Sequence, residues 1–282
     1  MKIALCTLVL NEMEWLPKLY SQHKDWPNLI KWVFVESADK AYAEANPHLV
    51  NHHGLSVDGT TEFLSNLAKT DERIIHIPFG FSSNSNVAQG KCESRQQYLN
   101  AINPIEPDFL IVVDADEFYT QFDQMRINRY LSSDTGHNAF IFRHRDIWRP
   151  SSISKEPLFS YEVRGGFWDI PYCRCWRWFP RLEYSTNHNT PSLNGIGLDT
   201  NLKRFDKIVG NLPEFIHMGF ACNPKIRAAK NRYYVQRGEG KTDHRQWYVD
   251  SRAAFETWKP GDILPRDAEV IKYQGPIPEC FQ

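Results

Sequence analysis

Long apolar runs, an excess of charge of one sign and a zinc-type cysteine pattern are all missing from this chain of 282 residues. Its longest apolar run, Ile3–Leu10, is too short to cross a bilayer, and the residues after it lack the small side chains of a signal-peptide cleavage site. We therefore expect no membrane span and a cytoplasmic location. The six cysteines should then be reduced. Cys173 and Cys175 form a lone C-x-C, which favours structural thiols over a zinc site.

The charges nearly cancel, with 33 Lys and Arg against 34 Asp and Glu. A dedicated nucleic-acid-binding protein is usually basic, so this balance argues against one. The middle of the chain is nevertheless locally basic. We favour exposed residues on antiparallel strands as the interpretation, while a phosphorylated or nucleic-acid acceptor stays open. The residues concerned are Arg143, His144, Arg145, Arg149, Arg174, Arg177 and Arg181.

Four short apolar segments alternate with helical segments in the first half of the chain. This alternation predicts right-handed βαβ units in a parallel sheet. A helix should cover Lys91 to Ile102, residues 38–55 should be an irregular insertion, and Ala139–Trp148 should form one strand. No internal repeat or linker is visible, so we expect a single domain over residues 1–282. The four predicted strands of the sheet are Ile3–Leu10, Lys31–Ser37, Arg73–Pro78 and Phe109–Val113.

Polar residues follow the first, second and fourth predicted strands, namely Asn11, Glu36 and the run Asp114–Glu117. Ligands of such sheets bind beyond the carboxyl ends of the strands, so these residues should converge on one cleft. The most informative pair is Asp114 and Asp116. Carboxylates two residues apart at a strand end can turn toward one cleft, and their hard oxygen ligands suit Mg²⁺ or Mn²⁺ bridging a diphosphate.

Two basic residues, Lys91 and Arg95, lie one helical turn apart in the helix before this acidic run. Their side chains therefore share a helix face. They could pair with the diphosphate of a donor, which suits the geometry of arginine, or they could simply be solvated.

The order of these motifs resembles the family 2-like GT-A glycosyltransferases. The match runs from residue 3 to about residue 122 and includes Asn11-Glu12, Glu36, Asp58-Gly59-Thr60 and the DADEF form of the DxD motif at residues 114–118. The resemblance implies a GT-A fold, an α/β domain with a Rossmann-like, mostly parallel central sheet, helices on both faces and a less regular C-terminal half. It implies a metal-dependent transferase of the hexosyltransferase type, with a nucleoside-diphosphate sugar as donor, for which we favour UDP, and Mn²⁺ or Mg²⁺ as cofactor. Residues 1–122 would bind the nucleotide-sugar, and residues 123–282 the acceptor, for which we favour a glycan.

The resemblance also implies roles for single residues. Thr7 and Glu36 would line the base and ribose pocket, with Asn11 beside the donor. Asp114 would face the ribose or the metal, and Asp116 would bind the metal. The insertion after the second strand departs from the family pattern.

In the second half, the resemblance points to His217 as a late metal ligand. The basic segment after it would close over the diphosphate, with Lys225 and Lys230 as donor-binding residues. His188 is the competing histidine. An isolated histidine between apolar residues can also be a packed core residue, and an imidazole must be neutral to bind a metal.

An inverting reaction needs a carboxylate to deprotonate the acceptor hydroxyl. Asp169 is our first candidate for this base, with Glu162 and Glu183 as alternatives. A retaining reaction needs no such base, and the sequence does not decide between the two.

Two other functions stay open. A sugar-phosphate nucleotidyltransferase needs a glycine-rich turn after the first strand to hold a triphosphate, and the turn here, Asn11–Glu14, is acidic and free of glycine. A non-catalytic nucleotide-sugar-binding module of the same fold is the second alternative. The survival of both Asp114 and Asp116 disfavours it.

Overall fold

Strands and helices alternate up to residue 133, and the described residues beyond it are mostly strands. The computed structural model describes residues 1–82, 87–148, 157–164, 173–185, 187–204, 213–221, 229, 261, 263–264 and 268–282. The helices are α1 (Leu16–His23), α2 (Lys40–Ala45), α3 (Thr60–Thr70), α4 (Val87–Ile102) and α5 (Gln121–Ser133). The strands are β1 (Ile3–Val9), β2 (Leu29–Ala38), β3 (Ile74–Phe81), β4 (Phe109–Val112), β5 (Glu117–Phe118), β6 (Ala139–Ile141), β7 (Arg143–Trp148), β8 (Tyr161–Arg164), β9 (Cys173–Arg177), β10 (Leu182–Glu183), β11 (Ser192–Leu193), β12 (Ile196–Gly197), β13 (Leu202–Arg204), β14 (Glu214–Phe220), β15 (Ile263–Leu264) and β16 (Ala268–Lys272).

The central sheet has seven strands among the described residues, in the order β13-β6-β9-β4-β1-β2-β3. β1 is parallel to both β2 and β4, and β2 is parallel to β3. β9 alone runs antiparallel to its neighbours β4 and β6. The predicted α/β fold with a mostly parallel sheet is therefore confirmed. Its first four strands have the 3-2-1-4 order of doubly wound nucleotide-binding sheets, which bind ligands where the strand order reverses, between β1 and β4.

Alternation of side chains along β1 explains why helices cover both faces of this sheet. Ile3 and Leu5 are buried in one core together with residues of α1, α3 and α5. Ala4 and Cys6 are buried in a second core together with residues of α4. The prediction of helices on both faces is confirmed.

Two local predictions were wrong. Residues 38–55 are not irregular throughout, because they contain α2, whose first turn is capped by the Asp39 carboxylate accepting from the Ala41 N–H at 2.8 Å. This helix buries none of its side chains, so it has no apolar periodicity to detect. The predicted strand Ala139–Trp148 is two strands, β6 in the central sheet and β7 in another.

The second sheet has six strands in the described part of the chain, in the order β15-β16-β8-β7-β14-β5. β5, which follows β4 closely in sequence, pairs antiparallel with β14, about a hundred residues later in the chain. β14 is parallel to β7, and β7 is antiparallel to β8. The short strands β10, β11 and β12 form a third sheet. The two halves of the sequence are thus interleaved, since each contributes strands to the other's sheet.

No helix in the described ranges combines the length and apolar character needed to cross a membrane. The described cysteines are all free thiols, including Cys173 and Cys175 in β9.

Candidate active site

The acidic run after β4 forms a tight turn that leads from the central sheet into the second sheet. The Glu117 N–H donates to the Asp114 carbonyl at 3.0 Å, and the Glu117 carboxylate accepts from the Asp114 N–H at 3.0 Å. The Met218 N–H donates to the Asp116 carbonyl at 2.8 Å, and His217 lies opposite Glu117 in the β5–β14 ladder. The turn therefore places Asp116 directly beside His217, about a hundred residues later in the chain.

The imidazole of His217 in β14 lies between two carboxylates, Asp116 of the acidic turn and Asp146 of β7. Nε2 of His217 lies 3.6 Å from Oδ2 of Asp116. Nδ1 of the same ring lies 2.5 Å from Oδ1 of Asp146, which is its register partner in β7. Asp146 is also 3.3 Å from Nε2 of His144. A carboxylate on Nδ1 fixes the tautomer and orientation of a histidine, so that Nε2 is presented to the group on its other side.

Gly219 makes this close approach possible. A Cβ at this position would lie 2.6 Å from two atoms of the His217 ring and 3.3 Å from Oδ2 of Asp116. No side chain fits there unless the ring moves. Glycine is therefore required by packing between the two groups.

The two aspartates decide the charge of the histidine. Burial by itself lowers the pKa of His217, but the negative charges of Asp116 and Asp146 raise it to about 9. Burial raises the pKa of Asp146, whereas its bonds with His144 and His217 bring it below its ordinary value. Without a cation the site holds a proton on His217, and a metal ion bound there would have to displace it.

Asp114 has a different neighbour. Its Oδ2 accepts from Arg174 of β9 at 2.7 Å, and the same guanidinium nitrogen bonds to Glu117. Burial would raise the pKa of Asp114, but Arg174, followed by Arg95, holds it well below its usual range. The pKa of buried Glu117 is raised, chiefly by desolvation.

A cavity of about 260 Å³ opens at the carboxyl ends of β1 and β2, beside Asp114. Lys91 and Arg95 of α4 line it, as does Tyr42 of α2. Arg95 is only 6% exposed and donates from Nη1 to the His188 carbonyl at 2.5 Å, while its buried Nε has no hydrogen-bond partner among the described residues. The structure thus brings Lys91, Arg95 and Asp114 together at the reversal of strand order. Of the strand-end residues that were expected to converge on one cleft, Asp114 lines this cavity, whereas Asn11 and Glu36 do not.

Three other predicted donor residues lie in the interior and bond to protein groups. Thr7 is fully buried and accepts from the Trp32 indole at 2.9 Å. Asn11 donates to the Leu49 carbonyl at 2.6 Å and accepts from the Val57 N–H at 3.0 Å. The bonds of Asn11 join the end of β1 to the segment that follows β2. Neither Thr7 nor Asn11 is among the residues that line the cavity.

Glu36 is also fully buried. It accepts from the Ser56 N–H at 2.8 Å and from the Thr61 hydroxyl at 2.7 Å, and its other oxygen lies 3.1 Å from Nε2 of His76. Burial raises its pKa, but the bonds with His76, Ser56 and Thr61 lower it below its ordinary value. The carboxylate therefore holds the loop before α3 in place.

The described residues alone do not form a complete metal site, because no three His, Cys, Asp or Glu side chains among them are grouped to hold an ion. Asp116 and His217 offer two ligands of the kinds that Mn²⁺ accepts, and Asp146 supports the imidazole. Mg²⁺ and Mn²⁺ are commonly bound by one or two protein groups plus substrate phosphates and water. The chemistry of the pair fits such a cation, whereas Asp114 is already paired with Arg174.

The candidate bases are not brought to this site. Glu162 is buried on β8 and is paired with Arg145 and Arg164. Its register partner is Ile147, so it lies on the opposite face of the second sheet from Asp146. Glu183 is exposed on β10. The predicted base Asp169 and the predicted donor residues Lys225 and Lys230 lie outside the described residues.

The basic middle of the chain is largely paired internally. Arg145 bonds to Glu214 and Glu162, and Arg174 bonds to Asp114 and Glu117. Arg177 donates to backbone carbonyls. These arginines stabilise the fold rather than present a surface to a polyanion.

Two residues of the site were missed from the sequence, Asp146 and Arg174. Asp146 follows two basic residues in a strand, and nothing in that pattern indicates which side chain it will meet. Arg174 lies between the two cysteines of the C-x-C, a pattern that indicates structural thiols and says nothing about a partner for the arginine. Only strand pairing brings either residue to the acidic turn.

Comparison with known proteins gives structural likenesses but no sequence family. No protein-family model and no curated protein matches the chain. Among solved structures, the chain is similar to residues 1–349 of TarS from S. aureus, with 11% identity, coverage of 91% of this chain and 71% of that one, and a TM-score of 0.43. It is similar to the same protein in complex with UDP-GlcNAc, with 12% identity, coverage of 90% and 72%, and a TM-score of 0.39. It is also similar to the mannosyltransferase PcManGT from Pyrobaculum calidifontis in complex with GDP-Man and Mn²⁺, with 12% identity, coverage of 90% and 69%, and a TM-score of 0.41. At these scores the likeness is distant, so the interpretation of the site depends on its own geometry.

Proposed function

We propose that this protein is a glycosyltransferase of the GT-A type that moves a sugar, as a hexosyl group, from a nucleoside-diphosphate sugar to an acceptor hydroxyl with the help of a divalent cation. The observation that carries the proposal is the alignment of Asp146, His217 and Asp116 on the same acidic turn as Asp114. Asp114 lines a cavity with two cationic side chains, at the reversal of strand order in a nucleotide-binding type of sheet.

The donor is assigned to the cavity because of its charge and position. Lys91 and Arg95 supply positive charge for a diphosphate, and the fork of arginine suits phosphate oxygens. The buried Nε of Arg95, which has no hydrogen-bond partner in the described part of the chain, is a donor that a phosphate oxygen could satisfy. Asp114 offers an acceptor for a hydroxyl of the ribose or the sugar. Lys225 and Lys230 are proposed to add charge from the C-terminal side.

The cation is assigned to Asp116 and His217, with Asp146 holding the imidazole. A bound Mn²⁺ or Mg²⁺ would neutralise the charge that develops on the leaving diphosphate. We favour UDP as the nucleotide and Mn²⁺ as the cation. TarS and PcManGT have been solved with ligands of this class, UDP-GlcNAc in one and GDP-Man with Mn²⁺ in the other.

The acceptor is proposed to be a glycan hydroxyl. The internal pairing of Arg145, Arg174 and Arg177 removes the main reason to consider a polyanionic acceptor. Asp169 remains the proposed base for an inverting reaction. Glu162 does not support that role, because two arginines hold it on the other face of the sheet.

The geometry of the first turn disfavours a nucleotidyltransferase. Such an enzyme would use backbone N–H groups after β1 to hold a triphosphate. Here three successive N–H groups already donate to protein oxygens, from Asn11 to Ser56 at 3.0 Å, from Glu12 to Thr60 at 3.0 Å and from Met13 to Asp58 at 3.0 Å.

A thermal-shift panel of UDP, GDP, CDP and ADP, each with Mn²⁺ and with EDTA, tests the donor and the metal together. At about 100 times its dissociation constant a specific nucleotide adds about 2.7 kcal/mol of stability. We expect one nucleotide to raise the melting temperature clearly more in Mn²⁺ than in EDTA. The nucleotide that does so is then supplied as its sugar conjugates, and slow release of the diphosphate shows that the protein is catalytic.

Other outcomes identify the alternatives. Binding of the nucleotide-sugar with no release of the diphosphate would indicate a non-catalytic module. Formation of pyrophosphate from a nucleoside triphosphate and a sugar 1-phosphate would indicate a nucleotidyltransferase. No shift with any nucleotide would contradict the proposed donor site.

A further inference from the structure

A single buried arginine bonds to two of the carboxylates in the acidic turn. Arg174 is 7% exposed, and one of its terminal nitrogens donates to Asp114 at 2.7 Å and also to Glu117. Glu117 in turn accepts from the Asp114 N–H at 3.0 Å. Asp116 has no part in these bonds, since its Oδ2 faces His217 instead. The two aspartates of the DxD motif therefore have different partners.

The antiparallel direction of β9 explains how Arg174 reaches this turn. Arg177 of the same strand pairs with Phe109 at the start of β4, so the beginning of β9 lies at the carboxyl end of β4. That end is the edge of the sheet where ligands bind. Arg177, at the other end of β9, donates to the backbone carbonyls of Asp134 at 2.7 Å and His137 at 3.2 Å.

We infer that Arg174 is a positioning residue that gives the two DxD aspartates separate tasks. Arg174 neutralises Asp114 and orients this carboxylate toward the donor cavity, where it accepts a hydrogen bond from a hydroxyl. Asp116 and His217 then bind the cation. This inference rests on the proposed function, because it concerns the cation and donor of that same site.

The physical argument is one of charge. Two uncompensated carboxylates beside His217 would attract a free cation more strongly than one does, and they would repel the diphosphate that must enter the same cleft. A guanidinium bonded to Asp114 removes one negative charge without blocking the cavity, which Asp114 still lines. Arg174 thus lowers the affinity for the free metal and raises the affinity for the anionic donor.

The test uses Arg174→Met, which keeps much of the length of the side chain and removes its charge. Arg177→Met is the matched control, since it removes an arginine from the same strand that does not contact the acidic turn. The probe is Mn²⁺ alone, with the free ion measured by electron paramagnetic resonance, followed by the nucleoside diphosphate in EDTA.

We expect Arg174→Met to bind Mn²⁺ about 30-fold more tightly, the effect on a divalent ion of removing one unit of positive charge roughly 4 Å away in a water-like medium. It should bind the nucleoside diphosphate more weakly in EDTA. Arg177→Met should change neither affinity. Adding Asp114→Asn to Arg174→Met should return the Mn²⁺ affinity to that of the wild type, because the freed carboxylate is the cause of the gain.

Arg174→Met leaves Glu117 buried without its cation and could fail to fold, so the double variant Arg174→Met with Glu117→Gln is made alongside it. A smaller gain in Mn²⁺ affinity than in Arg174→Met is expected there, because Asp114 is still freed but the charge of Glu117 is lost as well. Equal or weaker Mn²⁺ binding in the folded variant would overturn the inference and make Arg174 a purely structural residue. If the wild type itself binds no Mn²⁺, the metal site of the proposed function is wrong. The inference about Arg174 then fails too, but this result is recognised from the wild type alone, without the variants.

Discussion

The two faces of the second sheet both carry acidic and basic side chains, but these side chains meet different partners. On one face, His144 and Asp146 of β7 and His217 of β14 point toward the acidic turn. On the other face, Arg145 of β7 meets Glu214 at 2.8 Å and Glu162 at 3.3 Å. Both faces are charged and largely buried, so charge and burial do not tell them apart.

What separates the faces, among the described residues, is the spacing between the acidic and basic groups. Arg145 lies between two carboxylates, and Glu162 between two arginines, so the charges on that face are matched. On the face of His217, the ring and Asp116 stand 3.6 Å apart, beyond a good hydrogen bond. Paired charges of this kind serve the fold. An acidic and a basic side chain that stand apart, as Asp116 and His217 do, and that other residues hold in place, are expected where a ligand binds.

The largest effect is expected from Asp116→Asn, which removes the negative charge of this side chain beside His217 but keeps the shape of the side chain. Transfer of the sugar should fall about 100-fold or more, since a catalytic cation supplies several kcal/mol of stabilisation in the transition state. The free energy of unfolding should change little, because in the described part of the chain the charge of Asp116 faces His217 across a gap of 3.6 Å rather than a close ion pair. Turnover in Mn²⁺ and a denaturant titration measure the two quantities. Near-normal turnover would remove the metal from the mechanism.

A smaller effect is expected from His217→Ala. If the ring binds the cation, donor affinity should fall about tenfold or more in Mn²⁺ and hardly change in EDTA, because the ligand is used only when metal is present. If the ring is merely a packed residue, stability should fall equally with and without metal, and the metal dependence of donor binding should persist. Donor affinity of the wild type and the variant under both conditions decides. Equal losses under the two conditions would exclude His217 as a ligand.

A still smaller effect is expected from Asp146→Asn, which keeps a hydrogen-bond acceptor for Nδ1 but loses the charge. Groups that support a metal-binding histidine change metal affinity by about 10- to 100-fold, and we expect the lower end because the acceptor is retained. The measurement is the Mn²⁺ concentration that gives half of the full donor binding. An unchanged value would show that Asp146 does not support the ligand.

Glu162→Gln is the matched control on the other face and should have the smallest effect on the site. Its loss should reduce the free energy of unfolding by about 1–3 kcal/mol, the usual range for hydrogen bonds to charged groups. Donor and Mn²⁺ affinities should stay at wild-type values. A specific loss of turnover with normal binding would instead return Glu162 to the candidate bases and contradict the division between the faces.

The sequence determined the architecture of the first half and the acidic centre of the site. Buried parallel strands are continuous apolar runs, and their polar ends meet at one edge of the sheet, so β1 to β4 and Asp114 with Asp116 could be predicted from local patterns. The shared helix face of Lys91 and Arg95 could also be predicted, because it follows directly from their spacing, and both side chains line the cavity.

The tertiary structure decided which polar residues face the ligand. Asn11 and Glu36 were expected to face the cleft as Asp114 does, but their side chains bond to other parts of the protein. Asn11 donates to Leu49 of the insertion, and Glu36 accepts from Ser56 and Thr61 around the start of α3. Asp146 and Arg174 reach the acidic turn only because β7 pairs with β14 and β9 runs antiparallel to β4. Strand pairing joins residues far apart in the chain, and it depends on how whole faces pack rather than on any local spacing. A single sequence can therefore indicate where the cleft lies, but the partner of each charge within it is set by the assembled sheets.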